Sequence, residues 1–300
     1  MIAIIQKRKY FYILSLALFG MSIIALSLWG LRLGIDFQGG TLMEVRFSEN
    51  IEKQRIEEAF SGLELQSTSL QQGENNSFLI RYLSSDEEKN EQVRLALTSI
   101  HESAEIIRTD FFGSSVSKEL TEKAIEAVIV AAIVIALYIA WAFKKLSRPI
   151  PSWQYGLGAL IALIHDVVIT LGIFSFLGYF YGIEIGIPFI AAILTVLGYS
   201  VNDTIVVYDR IRENLLRHSG KEDFESIINR SVVETLGRSI NTSMTVVVVL
   251  LAIILFGGAT IFAFSLALLI GVIIGTYSSI FVASSLLVTS SLIKYNKRNS

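Results

Sequence analysis

The feature that most constrains this chain is a run of 55 residues, Ser239–Ile293, with no Asp, Glu, Lys or Arg. As a single α-helix it would be roughly 80 Å long, more than twice the ~30 Å hydrocarbon core of a bilayer. The run must therefore turn back on itself, and the Gly257-Gly258 pair is the natural breaker. That divides it into two expected spans, at residues 238–256 and 260–293. Four more stretches, residues 10–31, 123–143, 155–177 and 185–208, are apolar over similar lengths. With 52% hydrophobic residues overall, a purely soluble chain is excluded.

The first stretch follows Lys7, Arg8 and Lys9, an opening shared by signal peptides and first spans. Its 22 uncharged residues, Tyr10–Leu31, exceed a cleavable apolar region and run on through the bulky Leu28-Trp29, so a retained span is expected. Orientation follows from Lys and Arg, which are disfavoured in translocated short connections. Outside residues 31–123, all fifteen basic residues fall on one side: residues 1–9, the 144–148 connection, the 209–237 connection with Arg238, and the tail at 294–300. The opposite turns, near 178–184 and 256–260, have none. Both termini are expected in the cytoplasm, with residues 32–122 exported between spans one and two.

Residues 31–122 carry 9 basic and 17 acidic side chains. Strand-like and helix-like runs alternate there: Thr41–Phe47, Ile51–Phe60, Leu63–Leu70, Ser77–Leu83, Asp86–Ile100 and Ala104–Phe112. That order, βαββαβ, predicts a ferredoxin-like α+β domain attached to an otherwise membrane α-helical chain of six spans. Ser48-Glu49-Asn50 and Ser84-Ser85-Asp86 are the expected helix caps, and residues 71–76 the turn between the middle strands. The acids of this domain sit mostly on predicted helix faces, as solvated surface does, and no catalytic constellation stands out.

An ionisable group at bilayer depth costs several kcal/mol unless it is paired or hydrated. His165-Asp166 falls near the middle of the third span, and Asn202-Asp203 lies roughly 9 Å inside the charged end of the fourth. Arg238, about 28 Å before Gly257, reaches a similar depth, so an Asp203–Arg238 pair is expected. Such a set suits proton relay, since neutralising Asp203 would loosen its hold on Arg238 and bias helix positions. The competing reading is that Asp166 and Asp203 tie helices together by hydrogen bonds. Glu126 and Glu184 are expected at the interfaces. Gly182-x-x-x-Gly186 and Gly271-x-x-x-Gly275 indicate close helix packing.

The absence of cysteine excludes disulfides and thiolate chemistry, and three histidines leave little for zinc. No phosphate-binding loop, dinucleotide fingerprint or zinc-protease motif is present, so the expectation is no enzyme, no cofactor and no metal. Arg210, Arg212, Arg217, Lys221, Arg230 and Arg238 are interleaved with acids, which argues against nucleic acid.

Several stretches together resemble one family. Gly34-Ile35-Asp36-Phe37-Gln38-Gly39-Gly40-Thr41, His165-Asp166-Val167, Gly198–Asn214 and Arg238-Ser239-Ile240-Asn241-Thr242-Ser243 are similar to the signatures of the SecF branch of the SecD/SecF family. The likeness runs from about residue 7 to residue 295. That family is related to proton-driven resistance-nodulation-division exporters. The resemblance implies a protein translocase subunit of the bacterial cytoplasmic (inner) membrane, driven by the proton motive force. It also implies SecD and the SecYEG channel as partners, SecA and YajC as further candidates, and exported preproteins as cargo. It places the proton path on Asp203 and Arg238, and the depth of Asn202, His165 and Asp166 in their spans adds those three as further proton-coupling candidates. Asp36, Gly39, Gly40 and Asn241 are implied motif positions, the glycines serving the turn from span to strand. Two other readings stand beside it: an exporter fragment for lipids or drugs, and a passive membrane scaffold.

Overall fold

Six helices of the computed structural model are long and apolar enough to cross a membrane: Ile5–Trp29, Ser114–Ala142, Ser152–Tyr181, Ile187–Arg217, Phe224–Phe256 and Thr260–Ser291. The structure describes residues 2–63, 65, 68–73, 75–84, 86–144, 150–218 and 222–299, the last eight by backbone alone. In chain order the elements are α1 (Arg8–Trp29), α2 (Ile35–Gln38), β1 (Gly40–Arg46), α3 (Lys53–Phe60), β2 (Ser69–Gln72), β3 (Ser77–Tyr82), α4 (Glu87–Ile100) and β4 (Glu105–Phe112). There follow α5 (Ser114–Ala142), α6 (Ser152–Tyr181), α7 (Ile187–His218), α8 (Phe224–Phe256), α9 (Ala259–Tyr277), a π-helical segment (Ser278–Ala283) and α10 (Ser284–Asn299).

The ends of the long helices follow local chemistry. Gly182 stops α6 in a left-handed conformation, φ 71°. Asp223 accepts the Ser226 amide at 3.3 Å to start α8, and the break between α8 and α9 falls at Gly257-Gly258. Residues 209–237 are mainly the ends of two long helices, because α7 continues to His218 and α8 begins at Phe224. Here Arg210 pairs with Glu213 at 2.5 Å and Glu234 at 2.6 Å. The N-terminal residues dock on α8, where buried Asn229 accepts the Ile4 and Ile5 amides at 2.8 and 3.0 Å.

α6, α7 and the sixth span form the middle of the bundle, while α1, α5 and α8 lie outside them. Small residues permit the contacts. A β-carbon on Gly271 or Gly275 would meet Val196 or Ser200 of α7, which bears out packing at that pair. The Gly182/Gly186 pair is different: neither residue lies between packed helices. Gly182 is the α6 cap, and Gly186 stands just before α7, where Leu33 and Ile185 form a parallel bridge.

Between α2 and α5 the chain folds into a four-stranded antiparallel sheet, order β2-β3-β1-β4. The central register pairs Met43 with Ile80 and Val45 with Phe78, and a bulge interrupts the β1–β4 ladder at Glu44/Val45. One face buries Met43, Val45, Phe78, Ile80 and Tyr82 against Ile56 and Phe60 of α3 and Val93 and Leu97 of α4. The second strand is expected over residues 63–70 but observed at Ser69–Gln72; residues 64, 66 and 67 lie outside the described set. Asp86 caps α4, accepting the Glu88 amide at 3.2 Å. The expected Ser48-Glu49-Asn50 cap is not used: α3 begins after Glu52, whose side chain makes no capping bond.

Candidate functional site

Burying a carboxylate is tolerable only where hydrogen bonds replace its hydration. Two buried carboxylates in the middle of the bundle meet that condition. Asp166 of α6 is fully buried, and its Oδ2 accepts the hydroxyls of Ser200, 2.6 Å away on α7, and Ser278, 2.7 Å away in the π-helical segment. Its Oδ1 lies 2.9 Å from Nδ1 of His165. The His165 ring sits between Phe19 and Tyr277, and its Nε2 is buried without a partner among the described residues.

Asp203 of α7, 8% exposed, repeats the pattern one turn along. Its Oδ1 accepts the Ser239 hydroxyl of α8 at 2.5 Å, and its Oδ2 accepts the Ser279 hydroxyl of the π-helical segment. The two nests thus connect α6 with α7 and the sixth span, and α7 with α8 and the sixth span. Consecutive residues, Ser278 and Ser279, serve one carboxylate each. π-Helical turns are rare and recur at functional sites. A hydroxyl relay borders the second nest: Tyr199 donates to Ser243 at 3.0 Å, and Ser243 lies 2.5 Å from Thr276.

The expected Asp203–Arg238 ion pair is not formed. Successive helical residues point about 100° apart, and α8 turns Ser239 inward, leaving Arg238 exposed and without an ion pair among the described residues. Asn202 and Asn241 are also exposed and make no hydrogen bond among the described residues. Glu184 pairs with Arg32 at 3.6 Å, and Glu126 with Lys123 at 2.7 Å. Sequence reasoning missed Ser200, Ser239, Ser278 and Ser279. The available signal was a Ser-Ser dipeptide inside a run otherwise dominated by aliphatic residues. Among the described residues, no three His, Asp or Glu side chains converge as a metal site.

At the other end of α7, Asp36 Oδ2 accepts the amide of Ile187, the first residue of that helix, at 2.8 Å. The carboxylate caps α7 from 151 residues away in sequence. A β-carbon on Gly186 would stand 2.5 Å from the same oxygen, so a side chain there would push the capping carboxylate away. Gly39 and Gly40 follow with φ of 83° and 129°. A β-carbon on Gly40 would lie 2.4 Å from the Tyr82 carbonyl oxygen. The pair turns α2 directly into the central strand.

Six apolar helices, a small antiparallel sheet and carboxylates buried at span depth define a multi-pass membrane protein of transporter type. The description "Protein export membrane protein SecD/SecF, C-terminal" matches residues 92–292, and "SecD/SecF GG Motif" matches residues 30–51. The protein translocase subunit SecF of Thermobaculum terrenum is 44% identical, over 96% of this chain and 94% of its own. That of Desulfurispirillum indicum is 40% identical, over 96% and 91%. The crystal structure of SecDF, a translocon-associated membrane protein from Thermus thermophilus, superposes with a TM-score of 0.82 at 31% identity. That match covers 96% of this chain but 38% of the SecDF chain. The chain belongs to the SecD/SecF family of protein export membrane proteins, on its SecF side.

Proposed function

We propose that this chain is the SecF half of a SecD–SecF accessory complex that uses the proton motive force to assist preproteins across the bacterial cytoplasmic membrane at the SecYEG channel. The observation that carries the reading is the pair of buried carboxylates, Asp166 and Asp203, held only by hydroxyls and one imidazole. Neither has an Arg or Lys within ion-pair distance among the described residues. A carboxylate so placed can take up a proton without breaking an ion pair, and its hydrogen bonds to the surrounding helices change when it does.

In this reading the termini are cytoplasmic, following the basic residues, and residues 32–122 form the exported domain. Its antiparallel order β2-β3-β1-β4, with α3 and α4 on one face, supports the ferredoxin-like assignment. The proposed membrane portions, residues 10–31, 123–143, 155–177, 185–208, 238–256 and 260–293, fall on the six long helices except for residues 30–31, 143 and 185–186 at their ends. SecD contacts the face of α7 and α8 that exposes Asn202, Arg238 and Asn241, because polar groups at membrane depth need partners. Arg238 then meets an acceptor from SecD and joins the proton path in trans. SecA and YajC are further candidate partners on the cytoplasmic side and in the membrane.

The test is proton uptake and preprotein release in inverted vesicles containing this chain with its SecD partner. Asp203→Asn is expected to abolish both under an imposed gradient while the complex still assembles. Undiminished activity in that variant overturns the coupling role. The scaffold reading draws on the same hydroxyl bonds, which also tie helices together. It predicts export that is unchanged by a protonophore.

A further inference from the structure

The four serines around the carboxylates differ in one respect. Ser200 and Ser239 have no second acceptor among the described residues. Ser278 and Ser279 each have one. The Ser278 hydroxyl lies 2.7 Å from Asp166 Oδ2 and 3.1 Å from the Gly275 carbonyl oxygen. The Ser279 hydroxyl reaches Asp203 Oδ2 and also lies 3.0 Å from the Thr276 carbonyl oxygen. Both two-acceptor serines open the π-helical segment, where the sixth span departs from α-helical register.

We infer that Ser278 and Ser279 are positioning residues that report the protonation of Asp166 and Asp203 to the sixth span by changing hydrogen-bond partner. The inference rests on the proton-coupling reading above. With the carboxylate charged, both of its oxygens accept, and the serine donates to it. When a proton adds to Asp203 Oδ2, that oxygen becomes a donor to Ser279 Oγ, and the serine proton turns to the Thr276 carbonyl. No other atom changes its proton count. Ser278 does the same between Asp166 Oδ2 and the Gly275 carbonyl. Each flip adds an acceptor demand on a carbonyl at the junction of α9 and the π-helical segment, where helical register is already altered. Ser200 and Ser239 cannot flip in this way, so the sixth span carries the response.

The ionisable groups facing this junction are few. Among the described residues they are His165 and Asp166 on α6, Tyr199, Asp203 and Tyr208 on α7, and Tyr277 on α9, Tyr208 donating to the Ala283 carbonyl at the far end of the π-helical segment. α8 contributes Ser239 and Ser243, with Arg238 turned outward.

The experiment uses the SecD-bound complex in lipid bilayers. Infrared difference spectra over a pH series follow the protonated carboxyl band, with Asp203→Asn identifying the Asp203 component. Hydrogen exchange of peptides covering residues 278–291, corrected for intrinsic rate, is followed over the same series. In wild type, exchange in these peptides is expected to change in step with the Asp203 band. Ser279→Ala removes a donor to the charged form, so the band midpoint rises by about one pH unit, a tenfold change in proton concentration. In this variant the linked exchange change disappears. Ser239→Ala also raises the midpoint but keeps the exchange change, and Ser279→Thr restores both readouts. If Ser279→Ala does not assemble, Ser279→Cys, a weaker donor, is expected to give a smaller shift and a reduced exchange change. Exchange that still follows the band in Ser279→Ala, or that follows it at undiminished amplitude in Ser279→Cys, overturns the inference alone. Absence of any Asp203-dependent band overturns the proton-coupling reading, and the inference with it.

Discussion

The sheet domain and the span bundle both bury apolar side chains, but only the bundle mixes carboxylates into its interior among the described residues. In the domain, the interior is apolar: Met43, Val45, Phe47, Ile56, Phe78, Ile80, Val93 and Leu97 are all buried, and the buried polar side chains described there are Thr41 and Ser77. In the bundle, large apolar residues such as Leu16, Ile133, Leu137, Val248 and Leu255 face outward. The interior there packs apolar residues such as Phe174, Phe189, Ile193, Val207 and Val232, and among them it also holds Ser22, His165, Asp166, Thr170, Ser175, Ser200, Asp203, Ser239, Ser243, Ser278 and Ser279. Water drives apolar groups together around the domain, whereas lipid gives no such drive, so helices associate through close packing and hydrogen bonds. A bundle whose apolar packing is interspersed with hydroxyls can keep ionisable groups inside, and a core without such partners cannot.

The largest effect that would sharpen this contrast is expected in the domain. Phe78 is fully buried and stacks edge-on against Phe47 at 6.0 Å. Phe78→Ala should cost about 3–5 kcal/mol by lost burial and cavity formation. Denaturant unfolding of the sheet in the full chain measures it, and a cost under about 1 kcal/mol would mean that burial does not hold this domain. Gly40→Ala should come next. It places a side chain at φ 129° against the Tyr82 carbonyl, a backbone region that costs about 1–3 kcal/mol for other residues before the overlap is counted. The expected signature is loss of the Gly40–Phe112 and Thr41–Tyr82 pairing, read by amide exchange in β1.

Much of this was legible in the sequence because periodicity and charge are first-order signals. The 55-residue uncharged run required a turn, and Gly257-Gly258 supplied it. The alternating runs at 41–112 gave the order of strands and helices, although the second strand was misplaced because residues 63–70 combine apolar spacing with no strong turn residue. Asp166 and Asp203 stood out as charges in apolar surroundings. Their partners did not. A serine in a span is neutral in hydropathy, and which of Arg238 and Ser239 faces inward depends on the rotation of α8, which spacing along one chain does not fix. The π-helical segment has no sequence mark beyond its opening Ser278-Ser279 pair, a dipeptide that also occurs at 284–285 and 290–291 in the same run without a change of helix type. The role of Asp36 was equally hidden, because it caps a helix that begins 151 residues later.

Tyr82 tests the contrast between the two interiors. Its side chain is fully buried in the apolar core, and its hydroxyl donates to Asn90 Oδ1 at 2.7 Å. Tyr82→Phe keeps the ring and deletes one neutral hydrogen bond, so about 1 kcal/mol should be lost. Burial holds the hydroxyl neutral, pushing its pKa from 10.0 up to about 12. A folded-state pKa above the unfolded value means that this contribution is complete below pH 10 and is lost as pH rises toward 12. The tyrosinate absorbance absent from Tyr82→Phe should therefore appear near pH 12, and a midpoint near 10 would show that the core admits water.

The smallest expected effect is also the one most able to break the contrast. Ser243 is buried and sits among three groups: it takes the Tyr199 hydroxyl of α7, approaches Thr276 of α9 at 2.5 Å, and lies 2.8 Å from the Ser239 carbonyl of its own helix. Counted as contacts, Ser243→Ala removes more than Tyr82→Phe does. In a bundle whose unfolded helices remain in lipid, however, the freed hydroxyls find other partners, and such interhelical bonds average about 0.6 kcal/mol with a ceiling of about 1.7. Ser243→Ala should fall in that range when unfolding is driven in mixed micelles. A loss matching that of Phe78→Ala would mean that single hydroxyls in this bundle carry as much as an aromatic core residue. The polar interior would then be a rigid frame, leaving no room for carboxylates whose hydrogen bonds exchange during transport.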